Sequence, residues 1–301
     1  MSRKRKLRKK KPSPLKRKRK NPNIILHIEE LGLDFEEKGA TRTILDHLNL
    51  LQKKGEWLAL IGPNGAGKTS LGLIIKGLLN PTRGHLRMFS HAPDEDLRLR
   101  KSRTGFLFSN PRDQICALTV QDDIAFGLLH HGLSKKEIRN RVNEVMDLLG
   151  INHLAHQLTH KISGGEQQKV ALAGLIALNP DYMILDEPAN FLSPKEREGL
   201  LHILKNLHHN GTSILFISSG WEEIFMADRV AVLHNGLISW SGPPDSLLQE
   251  EKITEMIGYC LPDIYQLAMR LRQHGIRLPE HIHDVNEMVL ALTDRFKGKG
   301  N

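Results

Sequence analysis

The sequence predicts an α/β fold built on a mainly parallel sheet, and three observations carry that prediction. A short apolar run, "EWLALIG", leads directly into a glycine-rich loop at residues 62–70, "GPNGAGKTS". Strand-like and helix-like patterns then alternate along the chain, the arrangement that covers a parallel sheet on both faces. A second apolar run, "YMILDEP", ends in two adjacent acids.

Taken in order, "IILHIEELGLDF", "TILDHLNLLQ" and "EWLALIG" read as strands within residues 24–62. "SLGLIIKGLLNPTRG" reads as a helix stopped by Asn80, Pro81 and Gly84. Residues 119–160 have a helical texture, and Ser134 with Glu137 forms an S-x-x-E capping box ahead of Ile138, Val142, Val145, Met146 and Leu149. The α/β pattern resumes with a helix at "QQKVALAGLIALN", the strand "YMILDEP", a charged helix near 194–208 and the strand "SILFIS". "RVAVLHNGLISWSG" reads as a hairpin turning at Asn235 and Gly236. From about 243 the pattern is helical and amphipathic. No internal repeat is visible.

At 301 residues with 40% hydrophobic content the chain can bury a sizeable core. Its charge is unevenly placed. Residues 1–20 hold 13 of the 43 basic residues and no acid, so the remainder, with 30 basic residues against 34 acidic, is slightly negative. The tail "MSRKRKLRKKKPSPLKRKRK" lacks the apolar run of a signal peptide and repels itself too strongly to fold alone. It suits an anionic lipid surface, at about 1 kcal/mol per basic residue near the lipid, or nonspecific phosphate contact with nucleic acid, or it is a solvated extension. Cys116 and Cys260 stand far apart in no metal-ligand spacing, which fits a reducing compartment. No stretch approaches the roughly 18 apolar residues of a membrane span, so a membrane role is expected to come through a partner.

The loop has the spacing G-x-x-x-x-G-K-[ST], with Gly62, Gly67, Lys68 and Thr69 at the fixed positions. Between strand and helix, as here, its amides converge on a helix N-terminus and cradle phosphate. Gly62, Pro63, Asn64, Gly65, Ala66, Gly67, Lys68, Thr69 and Ser70 are the expected nucleotide contacts. Lys68 adds a point charge to the β- and γ-phosphate oxygens, and Thr69 offers a hydroxyl to Mg²⁺. "YMILDEP" supplies the second half: Asp186 for the Mg²⁺ shell and Glu187 to orient or deprotonate an attacking water. "ISGGEQQKVALAGLIALNP" places Ser163, Gly164 and Gly165 before a long helix, a second anion site. One nucleotide does not need two such sites from one chain, so a head-to-tail dimer is expected. His153, His156 and His160, at i, i+3 and i+7, and the pair His281 and His283 lack a matching Cys or carboxylate set, and solvated surface histidines are the expectation.

With these motifs in this order, residues 24–245 resemble the ATP-binding cassette ATPases. "FLFSNPRDQICALTVQDDIAFGLLHHGLS" and, more loosely, "LPDIYQLAMRLRQHGIRLP" followed by "VNEMVLAL" are similar to the ATPases of energy-coupling factor importers, the group that includes cobalt and nickel importer ATPases. The resemblance implies a phosphate-loop NTPase core with a mainly parallel sheet, an antiparallel β portion, an inserted helical subdomain and a short helical C-terminal extension. In residues, the ATPase domain is expected at 23–245 with its helical insert at about 110–165 and the extension at 246–301, behind the basic tail at 1–22 that its charge run predicts to be disordered. The resemblance further implies ATP and Mg²⁺ as ligands and a second ATPase subunit, identical or different. A transmembrane subunit would dock around residues 109–130, on the cytoplasmic face of the membrane, in an importer for a transition metal or vitamin. Phe35 is implied to stack on adenine; a core-facing strand aromatic is the alternative.

Four positions depart from the family pattern. It usually has Gln at Ser109, His at Ser219, Asp at Ser193 and Gln at Glu166, the fifth residue of the signature. Removing one preorganised donor typically costs roughly 100- to 1,000-fold in rate, so ATP binding with slow hydrolysis is expected. Glu166 either adds negative charge near the partner's triphosphate or points away. The rivals are a nucleotide-binding regulatory subunit without useful turnover, paired with an active ATPase, and a nucleic-acid-associated cassette. The latter is disfavoured because the chain has neither a tandem duplication nor a long coiled-coil insertion.

Overall fold

The computed structural model describes residues 23–37, 39–89, 93–258, 263–276, 278–279 and 285–297. The basic tail, Cys260, His281 and His283 lie outside the described residues.

In chain order, β1 (Ile24–Glu37), β2 (Ala40–Lys53) and β3 (Trp57–Ile61) lead through the glycine loop to α1 (Lys68–Lys76). β4 (Arg83–Met88), α2 (Pro93–Arg103) and β5 (Thr104–Leu107) follow, then a 3₁₀ turn at Pro111–Asp113. α3 (Val120–Phe126), α4 (Lys135–Leu149) and α5 (Gly164–Ala177) precede β6 (Tyr182–Asp186), α6 (Pro194–His209), β7 (Ser213–Ile217) and α7 (Trp221–Phe225). β8 (Arg229–His234) and β9 (Leu237–Gly242) form the hairpin, followed by α8 (Pro244–Leu247), α9 (Glu251–Ile257), α10 (Asp263–Gln273) and α11 (Val285–Lys297).

These elements build two sheets. A three-stranded antiparallel sheet has the order β2-β1-β4, and a six-stranded sheet has the order β5-β6-β7-β3-β8-β9. In the larger one β5, β6, β7, β3 and β8 run parallel, and β9 closes the edge antiparallel to β8. The parallel strands are apolar on both faces because both faces are covered. Along β3, Trp57, Ala59 and Ile61 enter the core beneath the helical insert, whereas Leu58 and Leu60 enter the core shared with α1 and the antiparallel sheet. Burying each of the leucine and isoleucine side chains contributes about 1.5–3 kcal/mol of transfer free energy.

Local chemistry sets the ends of several elements. Ser134 and Glu137 cap α4 reciprocally, and the left-handed Gly150 ends it. Asn235 and Gly236 both have positive φ, as a tight hairpin turn between β8 and β9 requires. α1 is shorter than the sequence suggests. It ends at Lys76 because Gly77, at φ 81°, donates its N–H to the carbonyls of Ile74 and Leu73, before Asn80, Pro81 or Gly84 is reached. The helical reading of 119–133 also needs correction: α3 stops at Phe126 and the chain tightens into a 3₁₀ turn at Gly127–His130.

The antiparallel sheet is fastened to the parallel one along β2. Ile44 and Leu45 of β2 lie against Gly67 of the glycine loop and against Gly236 of the hairpin turn, and the Asp46 N–H donates to the Gly236 carbonyl at 2.9 Å. Towards the C-terminus, α10 docks through Tyr265, whose ring stacks on Phe225 of α7 with centroids 4.9 Å apart. No helix among the described residues is long and apolar enough to cross a membrane.

Candidate active site

All five residues of β3 are buried, so the chain leaves the sheet in a fixed place and the loop turns at once into α1. Gly62 sits at φ 150°, and a Cβ there would come within 2.0 Å of the Leu233 carbonyl oxygen on β8, so only glycine fits. Pro63, Asn64, Gly65, Ala66 and Gly67 complete the turn, and Lys68, Thr69 and Ser70 form the first turn of α1. The free N–H groups of that turn and the positive end of the helix dipole face one spot.

Lys68 is buried, and its Nζ donates to the carbonyls of Gly62 at 2.7 Å and Pro63 at 3.0 Å. Burial pulls this ammonium below its usual pKa, and the negative fields of Glu187 and Asp186 oppose the shift. The lysine charge is thus folded onto the loop itself.

β7 lies between β3 and β6, yet the loop and the end of β6 meet above it. Thr69 Oγ1 donates to Asp186 Oδ2 at 2.6 Å. Burial raises the Asp186 pKa against the opposing effects of the Thr69 hydrogen bond and of Lys68. A hydroxyl and a carboxylate converging in a buried place are hard oxygen donors, and they fit a small divalent cation whose remaining ligands are phosphate oxygens and water.

Glu187 has φ 48°, unusual for a residue with a side chain. Its N–H is anchored to the Ile217 carbonyl at 2.9 Å, and this bond helps hold the turn that aims the carboxylate. Burial raises the Glu187 pKa, helped by Asp186 and Glu223 and opposed by Lys68 and by the Ser219 N–H on its carboxylate. Ser219 therefore meets Glu187 through its backbone. Ser109 follows β5, the strand beside β6. Leu107 pairs with Leu185, so Ser109 and Glu187 each stand two residues beyond paired positions on neighbouring strands.

Ser163, Gly164, Gly165 and Glu166 form their own cluster at the start of α5. Ser163 donates its N–H and its hydroxyl to Glu166 Oε2, both at 2.7 Å, while the Glu166 N–H returns to Ser163 Oγ at 3.3 Å. Glu166 thus does not point away; it folds back onto Ser163, and those hydrogen bonds hold its pKa below the usual carboxylate range. The same box recurs where Ser193 caps α6 with Glu196. Lys169 of α5 lies 2.5 Å from Glu196 and ties the two helix starts together. Gly165 packs under the Phe191 carbonyl, where a Cβ would come within 2.8 Å. The S-x-x-E pattern that marks Ser134 in the sequence is present at both of these serines and was the signal for their capping roles. Phe35 on β1 is 44% exposed, which removes the core-facing alternative.

A groove of about 260 Å³ runs between the sheet and the insert, lined by Lys76, Lys101, Phe106, Phe108, Phe126 and His131 among others. Lys76 donates to the carbonyls of Lys101, at 2.9 Å, and Thr104. Burial, with the nearby Lys101 charge, brings its pKa down to about 8. Leu118, Phe126 and Leu129 are exposed nearby. His153, His156 and His160 are exposed, and no cluster of three or more His, Cys, Asp or Glu suited to a metal ion occurs among the described residues.

A phosphate loop joined to a strand-end carboxylate pair, with a serine-glycine-glycine helix start on the same chain, defines a nucleotide-driven ATPase, and the chain belongs to the ABC transporter family, whose model matches residues 45–190. Within that family it groups with the energy-coupling factor transporter ATP-binding proteins. It is 34% identical to the energy-coupling factor transporter ATP-binding protein EcfA1 of Halalkalibacterium halodurans, over 89% of this chain and 96% of that one. It is 33% identical to the cobalt import ATP-binding protein CbiO of Syntrophus aciditrophicus, over 88% of this chain and 94% of that one. Among solved structures it is similar to cbiO1 of Clostridium perfringens, described as part of the ABC transporter complex cbiONQ, with a TM-score of 0.67 and 28% identity over 82% of this chain and 99% of that one.

Proposed function

We propose that this chain binds and hydrolyses Mg-ATP to energise a membrane importer of the energy-coupling factor type, carrying a transition metal ion or a vitamin. The observation that carries the reading is the meeting of Thr69 with Asp186 at 2.6 Å beside Lys68 and Glu187. The loop N–H groups and Lys68 hold the β- and γ-phosphates, Phe35 stacks on the base, and Thr69 and Asp186 hold Mg²⁺. When bound, the cation neutralises phosphate charge. Glu187 orients the attacking water and takes its proton, a role that its raised pKa suits.

The Ser163–Glu166 helix start closes on the nucleotide of a second ATPase subunit, the same chain or another, and the groove beside Phe126 and Lys76 receives a helix of the transmembrane subunit. The chain then works at the cytoplasmic face of the membrane, where the basic tail touches anionic lipid. Single-turnover hydrolysis over a range of protein concentrations tests this. Turnover that rises with concentration and is lost in Glu187→Gln is expected; its absence in every form, with ATP still bound, would overturn the hydrolytic role.

A second reading is favoured by Ser109 and Ser219, which stand where the family carries longer donors. The chain would then be a nucleotide-holding half whose partner performs most of the hydrolysis. Hydrolysis that appears only when an active second subunit is added supports that reading.

A further inference from the structure

A second pocket, of about 380 Å³, opens where α4, α5 and α6 meet the segment that follows Glu187. Its wall is largely apolar, with Leu149 from α4, Leu172 from α5, Leu200 and Ile203 from α6, and Pro188 and Leu192 from the segment between β6 and α6. No residue of the phosphate loop lines it, and neither does Asp186 or Glu187. Small-molecule pockets run from about 300 to 1,000 Å³ and pair an apolar wall with a few polar groups that fix orientation.

The wall contains one unpaired polar side chain. Gln168 of α5 is 1% exposed, and neither its Oε1 nor its Nε2 has a hydrogen-bond partner among the described residues. Buried side-chain amides are normally paired. The charged side chains of the wall, by contrast, are already engaged: Lys169 lies 2.5 Å from Glu196, and Asp147 accepts from the Asn152 amide. There is also room along α6, because Gly199 borders the pocket and a Cβ on it would meet no atom within 4 Å.

These features select the chemistry of a guest. With its charges paired off, the wall offers no counter-charge to an ion, so the guest is neutral. Gln168 presents an acceptor oxygen and a donor nitrogen side by side, and a carboxamide answers both, donating to Oε1 and accepting from Nε2. The leucines, isoleucine and proline suit a hydrocarbon body. We propose that this pocket binds a small neutral carboxamide with an apolar body, and that Gln168 recognises its amide head. A bound ligand ties α4 and α5 to α6, away from the residues that hold the phosphates.

The test titrates the full chain with hydrocinnamamide and with benzylacetone, an isostere whose methyl replaces the amide NH₂ and cannot donate to Oε1. Binding is read by calorimetry and by the rise in melting temperature that a ligand of the native state produces. Hydrocinnamamide should bind at least about tenfold more tightly than benzylacetone, as expected when a buried acceptor is left unpaired. Gln168→Met, which keeps the length of the side chain and removes both amide atoms, should erase that preference. Gly199→Leu, which puts a good helix former into open space, should abolish binding of both compounds. If Gln168→Met does not fold, the two ligands compared in wild type and in Gly199→Leu still decide the matter. Hydrocinnamamide binding that is absent, or that survives Gly199→Leu, overturns the site. Benzylacetone binding as tightly as the amide in wild type, or an amide preference that persists in folded Gln168→Met, overturns recognition by Gln168.

Discussion

Thr69 and Asp186 stand 117 positions apart in the chain and share a hydrogen bond of 2.6 Å. That bond joins the start of α1 to the end of β6 across the intervening β7, and it brings together the two residues proposed to hold Mg²⁺. Thr69→Val removes one oxygen donor and leaves the Asp186 carboxylate buried without its hydroxyl. ATP affinity measured by calorimetry should then lose most of its dependence on Mg²⁺, while affinity without the cation changes little.

Glu187 gives a stability prediction with a definite sign. Burial raises its folded pKa above that of the unfolded chain, so between those two values the native state binds more protons than the unfolded state. Its ionisation therefore costs stability as pH rises through that window, and the cost is absent below the unfolded value of about 4.3. Glu187→Gln should melt at a higher temperature than wild type at neutral pH and at the same temperature in acid. Turnover in the same variant should drop roughly 100- to 10,000-fold, as for loss of a general base.

Lys76 titrates in the opposite sense. Its pKa of about 8 lies below the unfolded value of about 10.4, so charging it is a cost that is fully present below pH 8. Stability should rise as pH climbs from about 8 to about 10.4, and ¹³C NMR of the lysine Cε signals should show one midpoint near 8.

Ser193 and Glu196 separate a capping role from a catalytic one. Ser193→Ala should cost about 1 kcal/mol in a denaturant melt, whereas Ser193→Thr, which keeps a hydroxyl able to donate to Glu196, should cost much less. Hydrogen bonds from Lys169 and Ser193 hold the Glu196 pKa down to about 2. Its contribution is thus complete above about 4.3 and lost as pH falls towards 2.

Ser109→Gln combined with Ser219→His should raise turnover by at least roughly tenfold if missing donors limit the rate, with ATP affinity unchanged. A turnover unmoved by both changes would mean that the rate is set elsewhere.

The parts of this site legible in the sequence are those built by neighbours along the chain. The phosphate loop, the strand before it, the helix after it and the acids at the end of β6 all carry their chemistry within a few residues. β4 did not announce itself because "RGHLRM" is a strand by virtue of its partner: Ile28 pairs with Leu86 and Leu26 with Met88 on the distant β1. β5 and α2 are hard to see for a related reason, since a four-residue strand and a highly charged helix carry little periodic signal. The left-handed backbone of Glu187 and the approach of Ser219 depend on β7 lying alongside, which no local pattern encodes. By contrast, the early stop of α1 at Gly77 was available in the sequence, and the more conspicuous Asn80–Pro81 obscured it.

Ile44 and Leu45 touch Gly67 of the phosphate loop on one side and Gly236 of the hairpin turn on the other. The strand pair that carries Phe35 is therefore clamped by the phosphate loop and the hairpin turn, and on the proposed reading the distance between base grip and phosphate grip is fixed like the jaws of a caliper. A ligand that spans both jaws loses its freedom of motion once instead of twice. Its two ends should accordingly bind as a unit far more tightly than adenosine and triphosphate do when offered as separate molecules.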